Sequence, residues 1–183
     1  MATIVDPFCD LVLVGDSLAM VLYGETNTNN ASLQTMIEHG KSVVKGCSKS
    51  IIIVDMPKGT YEASAKVALK NAKKILKETG CDGVKLEGGV KISDTIKLLI
   101  KNKIPVIAGT GSNSTSEAVE LCKHAEKSGA DGLLIVTPYY NTATQEGLVR
   151  HYKMLNDGVG IPIINYDRRS RSVIDMSVET MSK

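Results

Sequence analysis

Charged side chains recur at the ends of three short apolar runs in the sequence. Asp16 and Ser17 follow the first run, and Asp55 ends the second. The third run contains Lys85 and ends at Glu87. Carboxylate oxygens at neighbouring strand ends are the hard ligands that Mg²⁺ takes, with positions left open for water or substrate. Aspartates at such places also cap the next helix or loop, so the spacing alone leaves both interpretations open.

An alternation of short strands and longer helices would position these side chains. Runs rich in β-branched residues predict strands at 10–15, 50–55, 83–87, 104–109, 132–137 and 161–166, and the run 2–5 is too short to assign as a seventh. Between them, apolar residues recur every three or four positions, as in helices that pack one face on a sheet. A capping box at 114–117 and a glycine stop at Gly80 mark two helix ends. Parallel strands joined by such helices present their carboxyl ends on one side, where ligands bind.

The number of strands predicts an incomplete barrel. A closed eight-stranded βα barrel usually needs about 250 residues, whereas this chain has 183. We expect one α/β domain over 1–183, with a parallel sheet of βα units in an incomplete or rearranged barrel. An open, doubly wound sheet is the alternative. Because open sheet edges invite pairing, a homodimer that covers them is one expected arrangement.

Composition excludes several classes of partner. The net charge is +2 and the lysines are scattered along helical segments, so no basic surface indicates nucleic acid or anionic lipid. No apolar run reaches the ~18 residues of a membrane span, and the first residues lack the features of a signal peptide. The four cysteines lack metal-ligand spacing and are expected to be reduced thiols. We therefore expect a cytoplasmic protein that binds neither membranes nor nucleic acid.

The first part of the chain, 10–103, resembles ketopantoate hydroxymethyltransferase, a (βα)8 barrel family. The motifs that carry the likeness are Leu-Val-Gly-Asp-Ser-Leu at 13–18, Val-Asp-Met-Pro at 54–57, Gly-Thr-Tyr-Glu at 59–62 and Val-Lys-Leu-Glu-Gly-Gly at 84–89. The resemblance implies that Asp16 and Asp55 bind Mg²⁺, with Glu87 near the metal. It also implies that Ser17 and Lys85 hold a 2-keto acid substrate.

From 104 to 183 the likeness changes to dihydrodipicolinate synthase, a pyruvate-dependent class I aldolase family on a (βα)8 barrel. The motifs are Pro-Val-Ile-Ala-Gly-Thr-Gly-Ser-Asn-Ser-Thr at 105–115, Val-Thr-Pro-Tyr-Tyr-Asn at 136–141, Gln-Glu-Gly-Leu at 145–148 and Asp-Met-Ser at 175–177. The resemblance implies that Tyr140 and Tyr166 are the remaining catalytic residues. It also implies that Arg171 binds the substrate carboxylate.

Each half lacks a residue that its family requires. The strand that carries the first family's catalytic glutamate has no counterpart, and the sequence ends before the strand that bears the second family's Schiff-base lysine. We therefore expect an engineered or recombined chimera with a junction near 103–106, a βα scaffold without established catalytic activity. The alternative is an aldolase-type carbon-carbon lyase or transferase that acts on a small 2-keto acid, such as pyruvate or 2-ketoisovalerate, with Mg²⁺ as the expected cofactor.

Overall fold

The computed structural model describes residues 1–183, apart from the side chains of Ser170 and Arg171. The chain divides into two compact units: the first consists of Met1–Leu86 and Asp94–Ile107, and the second of Glu87–Ser93 and Ala108–Lys183. The main boundary falls inside the fourth strand, close to the junction predicted at 103–106. The prediction of a single domain stays a prediction.

Six parallel strands lie side by side in the order of the chain. They are β1 (Leu11–Val14), β2 (Ile51–Asp55), β3 (Gly83–Glu87), β4 (Val106–Gly109), β5 (Gly132–Val136) and β6 (Ile163–Tyr166). The six predicted strands are confirmed, with ends shorter by at most two residues. A doubly wound sheet has a reversal in its strand order, which this sheet lacks. The fold is therefore an α/β assembly of βα units that fits an incomplete barrel.

Helices connect successive strands, as the apolar periodicity predicts, and others precede β1 or follow β6. They are α1 (Ala2–Val5), α2 (Leu18–Val21), α3 (Leu33–Gly46), α4 (Ala65–Thr79), α5 (Ser93–Lys101), α6 (Thr115–Lys127), α7 (Gln145–Gly158), α8 (Arg169–Ser172) and α9 (Val178–Met181). Helix α4 ends as expected at Gly80, whose φ of 76° is the left-handed conformation that glycine adopts without a steric penalty. Within the described residues, no helix combines the length and hydropathy of a bilayer span.

In the first unit, α3 packs closely on β2. Met36 and Ile37 on α3 and Val54 on β2 are fully buried. A Cβ at Gly40 would lie 3.3 Å from a methyl carbon of Val54, so glycine at this position lets the helix approach the strand. The run 2–5 is a helix and not a strand, because the amide N–H groups of Ile4 and Val5 donate to the Met1 carbonyl.

In the second unit, the segment after α8 folds back onto α7. Ile174 and Met176 are buried and form an apolar cluster with Leu148 of α7. The Gln145 side chain holds the segment, donating to the Asp175 carbonyl at 2.8 Å and accepting from the Ser177 amide at 3.0 Å. The chain after β6 is thus fixed to the helix that precedes β6.

Candidate functional site

A buried ion pair lies at the carboxyl ends of β2 and β3. Asp55 and Lys85 are direct neighbours in the parallel register of the two strands. Lys85 Nζ is 3.2 Å from Asp55 Oδ1, and the side chains are only 9% and 6% exposed. Residues opposite each other on adjacent strands point to the same face, so strand pairing itself brings this cation and this anion together.

The turn that follows β1 completes the group. The backbone N–H of Asp16 donates to Asp55 Oδ2 at 3.1 Å. A Cβ at Gly15 would lie 3.1 Å from Ser17 Oγ and 3.6 Å from Asp55 Oδ2, so the absence of a side chain lets this turn pack on the carboxylate. The structure therefore gathers Asp16, Ser17, Asp55 and Lys85, which we call the strand-end site.

The alternative role of the two aspartates as helix caps is not supported. The N-cap of α2 is Ser17, and that of α4 is Ser64, whose side chain accepts the N–H of Val67. Asp55 instead pairs with Lys85 of β3 and accepts the Asp16 N–H from the turn that follows β1. Its position at the strand-end site reflects the ion pair and the turn, and not the start of a helix.

The donor set of the strand-end site suits Mg²⁺ only in part. Among the residues whose side chains are described, no group of three or more His, Cys, Asp and Glu is placed to hold a metal ion. Asp16 and Asp55 could supply two anionic oxygens, which suits a cation that usually keeps several waters and binds through one or two carboxylates. A bound Mg²⁺ would take its other ligands from substrate and water, and the magnesium site stays a prediction.

The other predicted site residues belong to the second unit. Glu87 ends β3 in an exposed position, and a Cβ at Gly109 would lie 2.8 Å from Glu87 Cγ. Tyr140 is 89% exposed and has a φ of 73°, and Tyr166 is 37% exposed at the end of β6. The side chain of Arg171 lies outside the described residues. Within the described part, no hydrogen bond joins the two tyrosine hydroxyls, so the structure does not bring them together as a formed pair.

Sequence reasoning missed a buried polar group between α6, α7 and β5. His151 is 3% exposed, and its Nδ1 lies 2.9 Å from Thr115 Oγ1. Burial lowers the pKa of His151, because the charged form of the ring is less stable away from water than the neutral form. Tyr152 donates its hydroxyl to the Ile135 carbonyl at 3.2 Å, and burial together with the nearby Asp167 raises the pKa of that hydroxyl. These contacts join residues that are far apart in the sequence, so no local motif predicts them.

Six parallel strands in the order of the chain, joined by helices, define a protein of the βα-barrel class, here with an incomplete barrel. Family models extend this assignment, matching ketopantoate hydroxymethyltransferase over residues 1–132 and the dihydrodipicolinate synthetase family over residues 85–183. The chain belongs to both families, the first through its N-terminal part and the second through its C-terminal part, and is a chimera of the two. The matches overlap over 85–132, and the predicted junction falls inside that overlap.

Individual relatives agree with this division. The 3-methyl-2-oxobutanoate hydroxymethyltransferases of Rhizobium etli and Pelagibacter ubique are 53% and 57% identical over 111 residues, which is 61% of this chain and 41% and 43% of theirs. The dihydrodipicolinate synthase structure from Aquifex aeolicus is 39% identical with a TM-score of 0.56, covering 64% of this chain and 44% of that one. The 4-hydroxy-tetrahydrodipicolinate synthase of Methylacidiphilum fumariolicum SolV is 34% identical with a TM-score of 0.53, covering 67% and 42%. The chain spans about two fifths of the length of the curated relatives it matches.

Proposed function

We propose that the strand-end site binds a small 2-keto acid together with Mg²⁺, as part of an aldolase-type carbon-carbon lyase or transferase. The observation that carries the proposal is the buried pair of Asp55 and Lys85, with the Asp16 N–H on the second carboxylate oxygen. Keeping two charges out of water is costly, and their mutual attraction offsets that cost only with good geometry and additional hydrogen bonds. With a divalent cation held by Asp16 and Asp55, the site would carry net positive charge and would suit an anionic ligand with a polar keto oxygen.

Each residue has a chemical role in this proposal. The Ser17 hydroxyl donates a hydrogen bond to the substrate carboxylate. The Lys85 ammonium donates to the carboxylate and to the keto oxygen. The carboxylates of Asp16 and Asp55 hold the metal ion. Bound Mg²⁺ supplies Lewis acidity at the keto oxygen. Because a carboxylate lies 3.2 Å from Nζ, Lys85 is favoured as a charged ammonium and not as the neutral amine that an imine would need.

Calorimetric titration with 2-ketoisovalerate in the presence of Mg²⁺ tests this proposal. We expect saturable binding that weakens about 10- to 100-fold in Ser17→Ala, because a hydrogen bond to a charged group contributes roughly 1.5–3 kcal/mol. Ser42→Ala is the matched control, since this exposed serine only donates to the Glu38 carbonyl within α3. Absence of binding by the unaltered chain, or equal affinities of both variants, would contradict the proposal.

A second candidate function is a recombined, engineered scaffold that binds without turnover in a reducing, cytoplasmic compartment. The exposure of Tyr140 and Tyr166 favours it, because catalytic groups act from positions held firmly near the reacting atoms. Proton NMR in D₂O discriminates the two, because an aldolase-type enzyme exchanges the C3 hydrogen of 2-ketoisovalerate. Exchange that disappears in Asp55→Asn supports the enzyme, and saturable binding without exchange supports the scaffold.

A further inference from the structure

The outer edge of β1 carries main-chain groups without a neighbouring strand in the described sheet. The Ile51 N–H donates to the Asp10 carbonyl, so in the alternating pattern of a parallel ladder Asp10, Val12 and Val14 face β2. The N–H and C=O groups of Leu11 and Leu13 therefore point away from the sheet. Among the strands that the structure describes, none lies beyond β1 in the sheet order.

The outer edge of β6 also carries main-chain groups, and these point away from β5. The Leu133 N–H donates to the Pro162 carbonyl, and the Thr137 N–H donates to the Tyr166 carbonyl. Even-numbered residues of β6 thus face β5, and the N–H and C=O groups of Ile163 and Asn165 point outward.

Exposure distinguishes these two strands from the interior of the sheet. In β2 and β3 four of the five residues are buried, whereas β1 has a single buried residue and β6 has none. Neither edge strand contains a charged residue or a proline, the devices with which proteins block unwanted edge pairing. Both edges are uncharged and four residues long, so they match each other in length and in charge.

We propose that β6 of one copy of this chain pairs in parallel with β1 of a second copy. In a sheet ordered along the chain, every strand adds on the same side of its predecessor, so the second copy's β1 stands where a seventh strand would follow β6. With Ile163 opposite Val12, three ladder hydrogen bonds form: Ile163 N–H to the Leu11 carbonyl, Leu13 N–H to the Ile163 carbonyl, and Asn165 N–H to the Leu13 carbonyl. Further copies of the chain supply a partner strand for both edges, because β1 of one copy pairs with β6 of another.

This pairing is head-to-tail. The two interacting surfaces differ, and each copy carries one of each, so association closes into a ring or continues as an open chain. The mass in solution should therefore rise with concentration from the 19.6 kDa of one chain to multiples of it. Blocking one edge of each copy should stop growth without unfolding the chain.

Proline substitutions at outward N–H groups test the proposal by light scattering. Asn165→Pro removes a donor from the β6 edge and leaves the bonds to β5 in place, and Asn165→Ala is the control that keeps the N–H. Leu13→Pro and Leu13→Ala form the same pair on β1. We expect association to weaken about tenfold or more in each proline variant relative to its alanine control, because a ladder bond is lost and the ring obstructs the approaching strand.

Mixing the two proline variants gives the decisive result. Asn165→Pro retains an intact β1 edge and Leu13→Pro an intact β6 edge, so an equimolar mixture should form a dimer that grows no further. Circular dichroism of each variant establishes that it is folded, and a proline variant that fails to fold is replaced by lysine at the same position. A chain that stays at 19.6 kDa at all concentrations, or folded variants that associate like the unaltered chain, would overturn the proposal.

Discussion

Replacing Lys85 with methionine removes the cation from the strand-end site and leaves the Asp55 carboxylate buried. Breaking a buried ion pair by removing one partner costs roughly 3–5 kcal/mol, because the remaining charge is left uncompensated. Asp55 keeps the hydrogen bond from the Asp16 N–H, so we expect a value near the lower limit, about 3 kcal/mol. At about 1.4 kcal/mol for each factor of ten, the ratio of folded to unfolded chain falls on the order of a hundredfold.

Urea denaturation at pH 7 measures this loss. With a urea dependence of about 2 kcal/mol per molar, the midpoint of Lys85→Met should fall by roughly 1.5 M. Lys97→Met is the matched control, since Lys97 lies 3.8 Å from Asp94 in a surface pair whose side chains are 59% and 93% exposed. Such pairs contribute about 0–1 kcal/mol.

The double variant isolates the cause. Adding Asp55→Asn to Lys85→Met removes the uncompensated charge and should restore most of the lost stability, because the remaining site is neutral. A Lys85→Met midpoint equal to that of the Lys97→Met control, or a double variant less stable than Lys85→Met, would refute the argument that Asp55 and Lys85 form a buried pair.

Three further predictions concern both units. Burial lowers the pKa of His151 below its usual 6.5, so below about pH 6.5 the unfolded chain binds a proton that the folded chain does not. The free energy of unfolding should therefore fall as the pH drops below about 6.5. Urea midpoints should record this fall, and it should be smaller in His151→Gln. Gly111→Ala should lower the melting temperature, since its Cβ would lie 2.7 Å from the Val136 nitrogen, whereas Gly158→Ala meets only ordinary contacts and should not. Borohydride with pyruvate should give no adduct at Lys85 by mass spectrometry, because the ion pair keeps the amine charged; a trapped adduct there would contradict the role given to this lysine.

Much of the fold follows from local patterns. Strands were predictable because each combines β-branched residues with nearby glycine or polar residues, and the differences lie at their ends, where pairing determines the last residue. The run 2–5 was not predictable as a helix: four residues carry little periodicity, and its packing against α3 sets its conformation, with Gly46 lying close to Ala2 and Thr3. Tertiary packing overrides propensity in so short a segment.

The hydrogen bonds at the start of α6 also depend on the surrounding loop and not on the local motif alone. The stretch 114–117 predicts a capping box, but Ser114 makes no side-chain cap bond. Ser112 instead donates to Glu117, and the Ser114 hydroxyl pairs with Ser116. The predicted helix start is therefore confirmed, since Ser114 is the N-cap of α6, but the reciprocal bonds of a capping box do not form because the Glu117 carboxylate accepts from Ser112.

The strand-end site was predictable in its members and not in its bonds. Asp16, Asp55 and Lys85 were placed at strand ends from the sequence, since parallel strands bring their carboxyl ends together. The ion pair depends on the register of β2 and β3, which sequence spacing does not determine. The buried group around His151 depends on contacts between α6, α7 and β5 and was missed for the same reason.

The proposed function requires that the strand-end site bind a 2-keto acid and a divalent cation together. Replacing Mg²⁺ by paramagnetic Mn²⁺ and recording the carbon relaxation of ¹³C-labelled 2-ketoisovalerate tests this most directly. We expect enhanced relaxation at C1 and C2 that requires the protein and disappears in Asp55→Asn. Relaxation that is unaffected by the protein, or that survives in folded Asp55→Asn, would contradict it.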